Sequence, residues 1–439
     1  MLARMGGSFS RCVPAALRLW IALAVALCAS SWSSDASAYA WMIRHGYTAC
    51  GTCHTDPSGG ELLTPYGRVQ GDLLLSMHYG AGADKGADEG SDEGADEDSD
   101  EDSEKGEASA HEEPSSGILW GLWEPPDWLA LGGAYRNLQV IRPGDETDKY
   151  SFVPVMLGDL YGQVKFGAFR AAGTIGVSKV KAGSPHARPA QLTTGQGDEL
   201  NLLSRTHWLG VDISDKYMFR VGRMNLPFGV RIPEHTMWVR EKTQTDRESD
   251  QQTGLALSYV GESLRAEVMA IAGNYQVNPD EFRERGYSLF VEGIATNRLA
   301  AGVSSKVTYV ERDRYTNGRD VLRQAHGLMA RYAPWDPLAI LFEADVLFRS
   351  ETDAGYVGFL QADYEIIQGL HLIATGELLD EGLSTRQDAL PAAPGTGEPR
   401  YGFWGSIDWF FYRQFEARVD FIQRQNDPFT ILGQLHFYL

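Results

Sequence analysis

The sequence predicts an all-β protein: a transmembrane antiparallel β-barrel of about 16 strands, preceded by a small α-helical module. Three observations carry this. From Ile118 onward, apolar and polar residues alternate with period two, which puts one face of each segment against lipid and the other against water. The connections between these segments tend to alternate between short and long. No apolar run reaches the ~20 residues of a membrane-spanning helix.

Length and charge set the bounds. The chain has 439 residues, 43% of them hydrophobic, enough for a sizeable folded body. Its net charge of −20 excludes a nucleic-acid binder, which needs a basic face.

Residues 1–40 read as an export signal. Arg4, Arg11 and Arg18 give a positive start, and Leu19–Ala29 is an uncharged apolar run too short to span a bilayer. Ala38-Tyr39-Ala40 is an A-x-A cleavage pattern, so the mature chain is expected to begin at Trp41; Ala36-Ser37-Ala38 is a nearby second site. An uncleaved anchor is the alternative. Leu27 is a poor fit before a lipidated cysteine, which argues against lipidation of Cys28. Of the 4 cysteines, Cys12 and Cys28 fall in the removed segment, leaving Cys50 and Cys53. Export places this pair in an oxidising compartment with no wider disulfide framework to join.

Cys50-Gly51-Thr52-Cys53-His54 is a CxxCH haem-attachment motif. Positions i, i+3 and i+4 of a helical turn lie on one face. Two thiols can therefore add to the haem vinyl groups while His54 reaches the iron as proximal ligand. One covalent haem c is expected. A zinc site would need more ligands than this cluster offers, and a thioredoxin-type CxxC would need a βαβ context. Three residues are candidates for the distal position: His45 upstream, Met77 and His78 downstream. The stretch Pro65–His78 reads as a short helix with Thr64 as N-cap and Pro65 at its first position. Val69, Leu73 and Met77 recur every four residues on its apolar face. A five-coordinate or water-ligated iron is also open. The whole module, residues 41–79, is too small to bury a core or wrap a haem alone. It is expected to lean on another part of the chain.

Residues 80–117 form an acidic linker. Ala83–Glu113 carries 15 Asp/Glu and 2 Lys, a self-repelling composition that does not fold. Its bland reading is a solvated tether; its sharper one is a weak trap for Fe²⁺ or Ca²⁺.

Residues 118–439 carry the barrel. In Gln414–Phe421, Phe415, Ala417, Val419 and Phe421 alternate with Gln414, Glu416, Arg418 and Asp420. In Leu264–Ala270, Leu264, Ala266, Val268 and Ala270 alternate with Arg265, Glu267 and Met269. Ile340, Phe342, Ala344, Val346 and Phe348 share a face opposite Glu343 and Asp345, although Leu341 and Leu347 blur the pattern. Tight connections include Val260–Ser263, Ala333–Pro337 and Ile367–Gly369. Ala182–Asp198, Arg231–Gln251 and Asp380–Glu398 are long and polar, the expected asymmetry of periplasmic turns and outer loops. The chain ends on an apolar-aromatic face, Ile431 to Leu439. A soluble β-sandwich or lipocalin-like barrel would need fewer strands and smaller loops.

Exported CxxCH, then Pro65 and Tyr66-Gly67-Arg68, then a large barrel, together resemble the fused monohaem cytochrome–porins of the outer membrane, a family that includes outer-membrane iron oxidases. Only Cys50, Cys53, His54 and the Tyr-Gly-Arg element match as motif, and the family often has Phe-Gly-Arg there. Arg220–Gly229 separately resembles a strand-and-turn of general porins. The resemblance implies an outer-membrane protein in contact with lipid, moving electrons between a donor such as extracellular Fe(II) and a periplasmic cytochrome or other carrier. In that case the haem module sits in or at the barrel mouth. The rival expectation is a passive porin for small solutes with a sensory or vestigial haem. A soluble periplasmic haem enzyme lacks candidate residues.

Overall fold

The computed structural model describes residues 40–77, 117–118, 122–144, 150–179, 190–193, 200–245, 250–274, 283–313, 318–350, 352–382 and 398–439. The export signal, the acidic strip and His78 lie outside the described residues.

The strands are β1 Leu129–Ile141, β2 Tyr150–Phe166, β3 Phe169–Lys179, β4 Leu200–Leu203, β5 His207–Asp212, β6 Tyr217–Met224, β7 Gln252–Val260, β8 Leu264–Gly273 and β9 Glu284–Thr296. They continue as β10 Leu299–Arg312, β11 Arg319–Trp335, β12 Leu338–Arg349, β13 Thr352–Ile367, β14 Leu370–Asp380, β15 Arg400–Tyr412, β16 Phe415–Arg424 and β17 Thr430–Tyr438. Each pairs antiparallel with its neighbours, and β17 closes on β1 from Ala134↔Tyr438 to Ile141↔Ile431. β4 and β5 both pair with β3, so they are two pieces of one stave and the ring has 16 staves, as the alternation predicts. Closure matters physically, because a sheet edge in hydrocarbon would leave backbone groups unpaired.

The faces sort as expected. Leu328 is 61% exposed and its neighbour Met329 2%; Phe403 is 57% exposed and Trp404 2%. The outward residues are apolar, whereas the inward face buries Glu267, Glu292, Arg331, Glu343 and Arg418. This inverted arrangement is what lipid outside and a polar lumen inside require. Exposed Trp128, Phe166, Phe169, Trp335 and Trp409 gather at the short-turn ends of their strands, where aromatic rings suit the membrane interface.

One long loop departs from its expectation. Residues 225–245 and 250–251 do not project outward; they fold into the lumen. Phe228, Val230, Ile232, Met237, Trp238 and Val239 are buried against Leu341, Leu347, Val357, Phe359, Leu379 and Trp404. This explains the blur in β12: Leu341 and Leu347 face the lumen and pack on the loop. The helix Trp238–Thr243 is tied to the wall by Trp238 N donating to Glu377 Oε1 (2.7 Å) and by an Arg240–Glu343 ion pair. Val230 N donates to Glu343 Oε2 at 2.7 Å.

Candidate cofactor site inside the barrel

The motif folds as a helical turn. Cys53 N and His54 N both donate to Cys50 O, at 3.3 and 3.0 Å. The chain then doubles back through Gly59 (φ 84°) and Gly60 (φ 94°), so that His54 pairs with Leu63 in an antiparallel bridge. Thr64 joins the turn to the following helix, Pro65–Leu75. Its hydroxyl accepts from Gly67 N (3.0 Å) as the predicted N-cap and donates to Thr52 O (2.9 Å). Gly67 is the close approach: a Cβ there would collide with the Cys53 backbone. The Tyr-Gly-Arg element thus lets the helix rest on the CxxCH turn.

The helix is shorter than expected and turned differently. It stops at Leu75, and its buried positions are Gly67, Arg68, Asp72 and Leu75, not Val69, Leu73 and Met77. The periodicity assumed an apolar partner, but the wall here is a polar lumen. Arg68 Nη2 donates to Leu131 O at 2.7 Å.

Residues 40–77 fill the short-turn half of the barrel. Arg44, fully buried beneath Trp41, reaches Asp363 Oδ1 at 3.0 Å. Cys50 Sγ accepts from Arg265 Nη1 (3.1 Å), and Thr48 O accepts from Arg331 Nη2 (2.7 Å). Asp56 pairs with Arg220 at 2.7 Å. Glu61 accepts from Thr206 (2.5 Å) and Thr174 (3.1 Å). Gln368, in a short turn, donates to Leu73 O and Ser76 O. These ties run around the ring from β3 to β14. The break between β4 and β5 is where Thr206 meets Glu61.

Two plug carboxyls make this docking sensitive to pH. Burial pushes Glu61 up to about 7, against the opposing bond from Thr206. Burial also pushes Asp72 up to about 6, against Arg413 and Arg68. A carboxyl raised in the folded state contributes stability that is full below its ordinary value and lost as pH rises through the folded value. Asp56 behaves oppositely: burial disfavours its charge, but Arg220 and the Ser58 donors hold it below its ordinary value. It therefore stays ionised at neutral pH. Hydrogen exchange across residues 55–75 should speed up beyond the intrinsic base dependence between pH 5 and pH 8. Glu61→Gln combined with Asp72→Asn should abolish that excess. Exchange in the unaltered chain that follows the intrinsic base dependence alone would refute this pH sensitivity.

Cys53 and His54 line a cavity of about 1430 Å³ that is partly continuous with solvent. Met42, Leu63, Leu75, Leu157 and Ile232 give it apolar walls. Arg136, Arg205, Arg231 and Arg240 face it against the carboxylates of Glu61 and Asp159. An apolar slot with a guanidinium rim fits a flat macrocycle bearing two carboxylate arms. Cys50 lines a neighbouring cavity of about 540 Å³. To join Cys53 and His54 on one cofactor, its thiol must leave Arg265. Burial pushes that thiol up, but Arg265 and Arg331 outweigh it and bring it below its ordinary value, which favours the nucleophilic thiolate. Cys50 and Cys53 are not joined in a disulfide. Among the described residues no group of three or more His, Cys, Asp or Glu is arranged around a metal position.

Two of the three distal candidates, Met77 and His45, lie elsewhere, and His78 is outside the described residues. Met77 Sδ accepts from Trp409 Nε1 at 2.6 Å by the short-turn rim, and His45 sits beside Arg44 and Glu365. Neither lines the cavity of His54. Two histidines not singled out from the sequence do: His235 on the inward loop and His436 on β17. His436 carried a signal, since it falls on the polar face of the final strand. His235 carried none while its loop was read as external.

The comparisons bear on the barrel. The fold is similar to OmpT of Vibrio cholerae in its trimer form, with TM-score 0.51 and 11% identity over 71% of this chain and 99% of that one. It is similar to the loop L8 deletion mutant of OmpT, at 0.50 and 10% over 71% and 99%. It is also similar to OmpF of Salmonella typhi in complex with daunomycin, at 0.51 and 9% over 71% and 97%. No protein-family model and no curated protein matches the sequence. Identities this low speak for the fold alone. The chain has the closed 16-stave β-barrel fold of these outer-membrane proteins, with its short-turn half filled by its own residues 40–77.

Proposed function

We propose that this barrel passes electrons across the outer membrane on one covalent c-type haem, taken from an extracellular donor such as Fe(II) and delivered to a periplasmic cytochrome or other carrier. The observation that carries the reading is the CxxCH turn held inside the lumen, with Cys53 and His54 on a cavity of about 1430 Å³. Cys50 and Cys53 would supply the thioether sulfurs, and His54 the proximal nitrogen. When bound, the haem supplies a one-electron carrier. The protein's residues do the rest: the apolar wall excludes water, the arginine rim neutralises the carboxylate arms, and the ties to the ring hold the turn at the periplasmic mouth. One Fe²⁺ oxidised to Fe³⁺ outside balances one electron accepted inside.

The test is a pyridine haemochrome spectrum on the outer-membrane fraction. The unaltered chain should give a covalent haem signal at one per chain, and Cys50→Ala with Cys53→Ala should lose it. In liposomes, external Fe²⁺ should then reduce an enclosed acceptor. A colourless unaltered protein would end this reading. The porin architecture favours a second one: passive passage of small solutes, with a sensory or vestigial haem. Solute flux without redox coupling in the same liposomes would support it.

A further inference from the structure

We infer that His436, on the last strand of the barrel, is the second axial ligand of the haem iron; the assignment rests on the haem reading above. Among the described residues, three histidines line the large cavity: His54 on the plug, His235 on the inward loop and His436 on the wall. The other described histidines are engaged elsewhere. His371 lies against Trp41 and Asp363, His207 against Ser204, His326 against Ser305, and His45 beside Glu365.

His436 is built like a metal ligand. Its Nδ1 lies 2.9 Å from Glu416 Oε2, and the two residues face each other in the β16–β17 register. Metal-binding histidines commonly give their second ring N–H to a carboxylate, which fixes the tautomer and raises the basicity of the other nitrogen. On β1, Arg136 pairs with His436 in register and its Nη2 is 3.5 Å from the same Nδ1. A guanidinium can only donate, so Nδ1 cannot serve both neighbours. The shorter contact to the carboxylate decides: Nδ1 carries the proton and Nε2 keeps its lone pair. The ring is buried and flanked on both sides by paired strands, whereas His235 is half-buried on a loop. Sites on regular elements hold geometry better than sites on loops.

The assignment is tested on the purified full chain in its oxidised form, by electron paramagnetic resonance and near-infrared magnetic circular dichroism. The unaltered protein should be low-spin with two imidazole ligands. His436→Ala should become high-spin, and added imidazole should restore the low-spin form. His436→Met should acquire the charge-transfer band of a thioether-ligated haem, which only a side chain facing the iron can produce. Glu416→Gln should stay low-spin with a shifted potential. A low-spin spectrum that persists in His436→Ala, no thioether band in His436→Met, or loss of the low-spin form in His235→Ala would each overturn it. A pyridine haemochrome assay separates this from the parent reading: an unaltered chain without covalent haem defeats the proposed function itself.

Discussion

Deleting residues 41–77 should convert a nearly closed barrel into an open pore in planar bilayers. Sixteen staves enclose enough width for an aqueous channel when nothing fills it. Here the short-turn half holds the plug, and the loop residues 225–245 narrow the other half. The deletion leaves the loop in place, because its ties to Glu343 and Glu377 are independent of the plug. It also frees Arg220, Arg265 and Arg331 from Asp56, Cys50 and Thr48, so water replaces the plug as their partner. Single-channel recordings would measure the increase, with heat-shifted gel mobility checking that the ring still closes. Unchanged conductance would mean that the plug leaves the lumen in the membrane.

Glu292→Ala should be among the most destabilising single substitutions in the chain. Glu292 is 1% exposed and serves two guanidinium groups: Arg331 Nε and Nη2 at 2.9 and 2.7 Å, and Arg265 through Nε at 2.9 Å and through Nη2. These arginines in turn hold the Thr48 carbonyl and the Cys50 sulfur. Removing the carboxylate strands two buried cations, and breaking a buried pair costs about 3–5 kcal/mol. Urea unfolding in lipid vesicles should show a loss of that order. A loss under about 1 kcal/mol would mean that water already solvates the pair.

Much of the barrel was legible because its two solvents write opposite residue types on alternate positions. Glu416, Arg418 and Asp420 on one face and Val419 and Phe421 on the other need no tertiary knowledge. The CxxCH turn and the Thr64 cap were legible for the same reason: they are local. What stayed hidden depends on ring closure. Phe228, Val230 and Ile232 could not be assigned to the lumen without seeing the apolar patch of Leu341, Leu347 and Phe359 that receives them. The orientation of the plug helix is not local either: its partner is a polar wall, so Arg68 and Asp72 turn inward in place of Val69 and Leu73. His436 lies 382 positions after His54 in the chain, and only pairing of β17 with β1 brings it to the same cavity.

The plug is bonded to staves on many sides of the ring, while the seam that completes the ring joins the first strand to the last. Leu439 N donates to Gly133 O at 2.8 Å, so Leu439 seals that seam beside the cavity. A bead held this way cannot enter through a finished wall. On the haem reading proposed above, the Cys50 and Cys53 thioethers would form before the ring closes around the plug, and insertion would follow with the cargo already aboard.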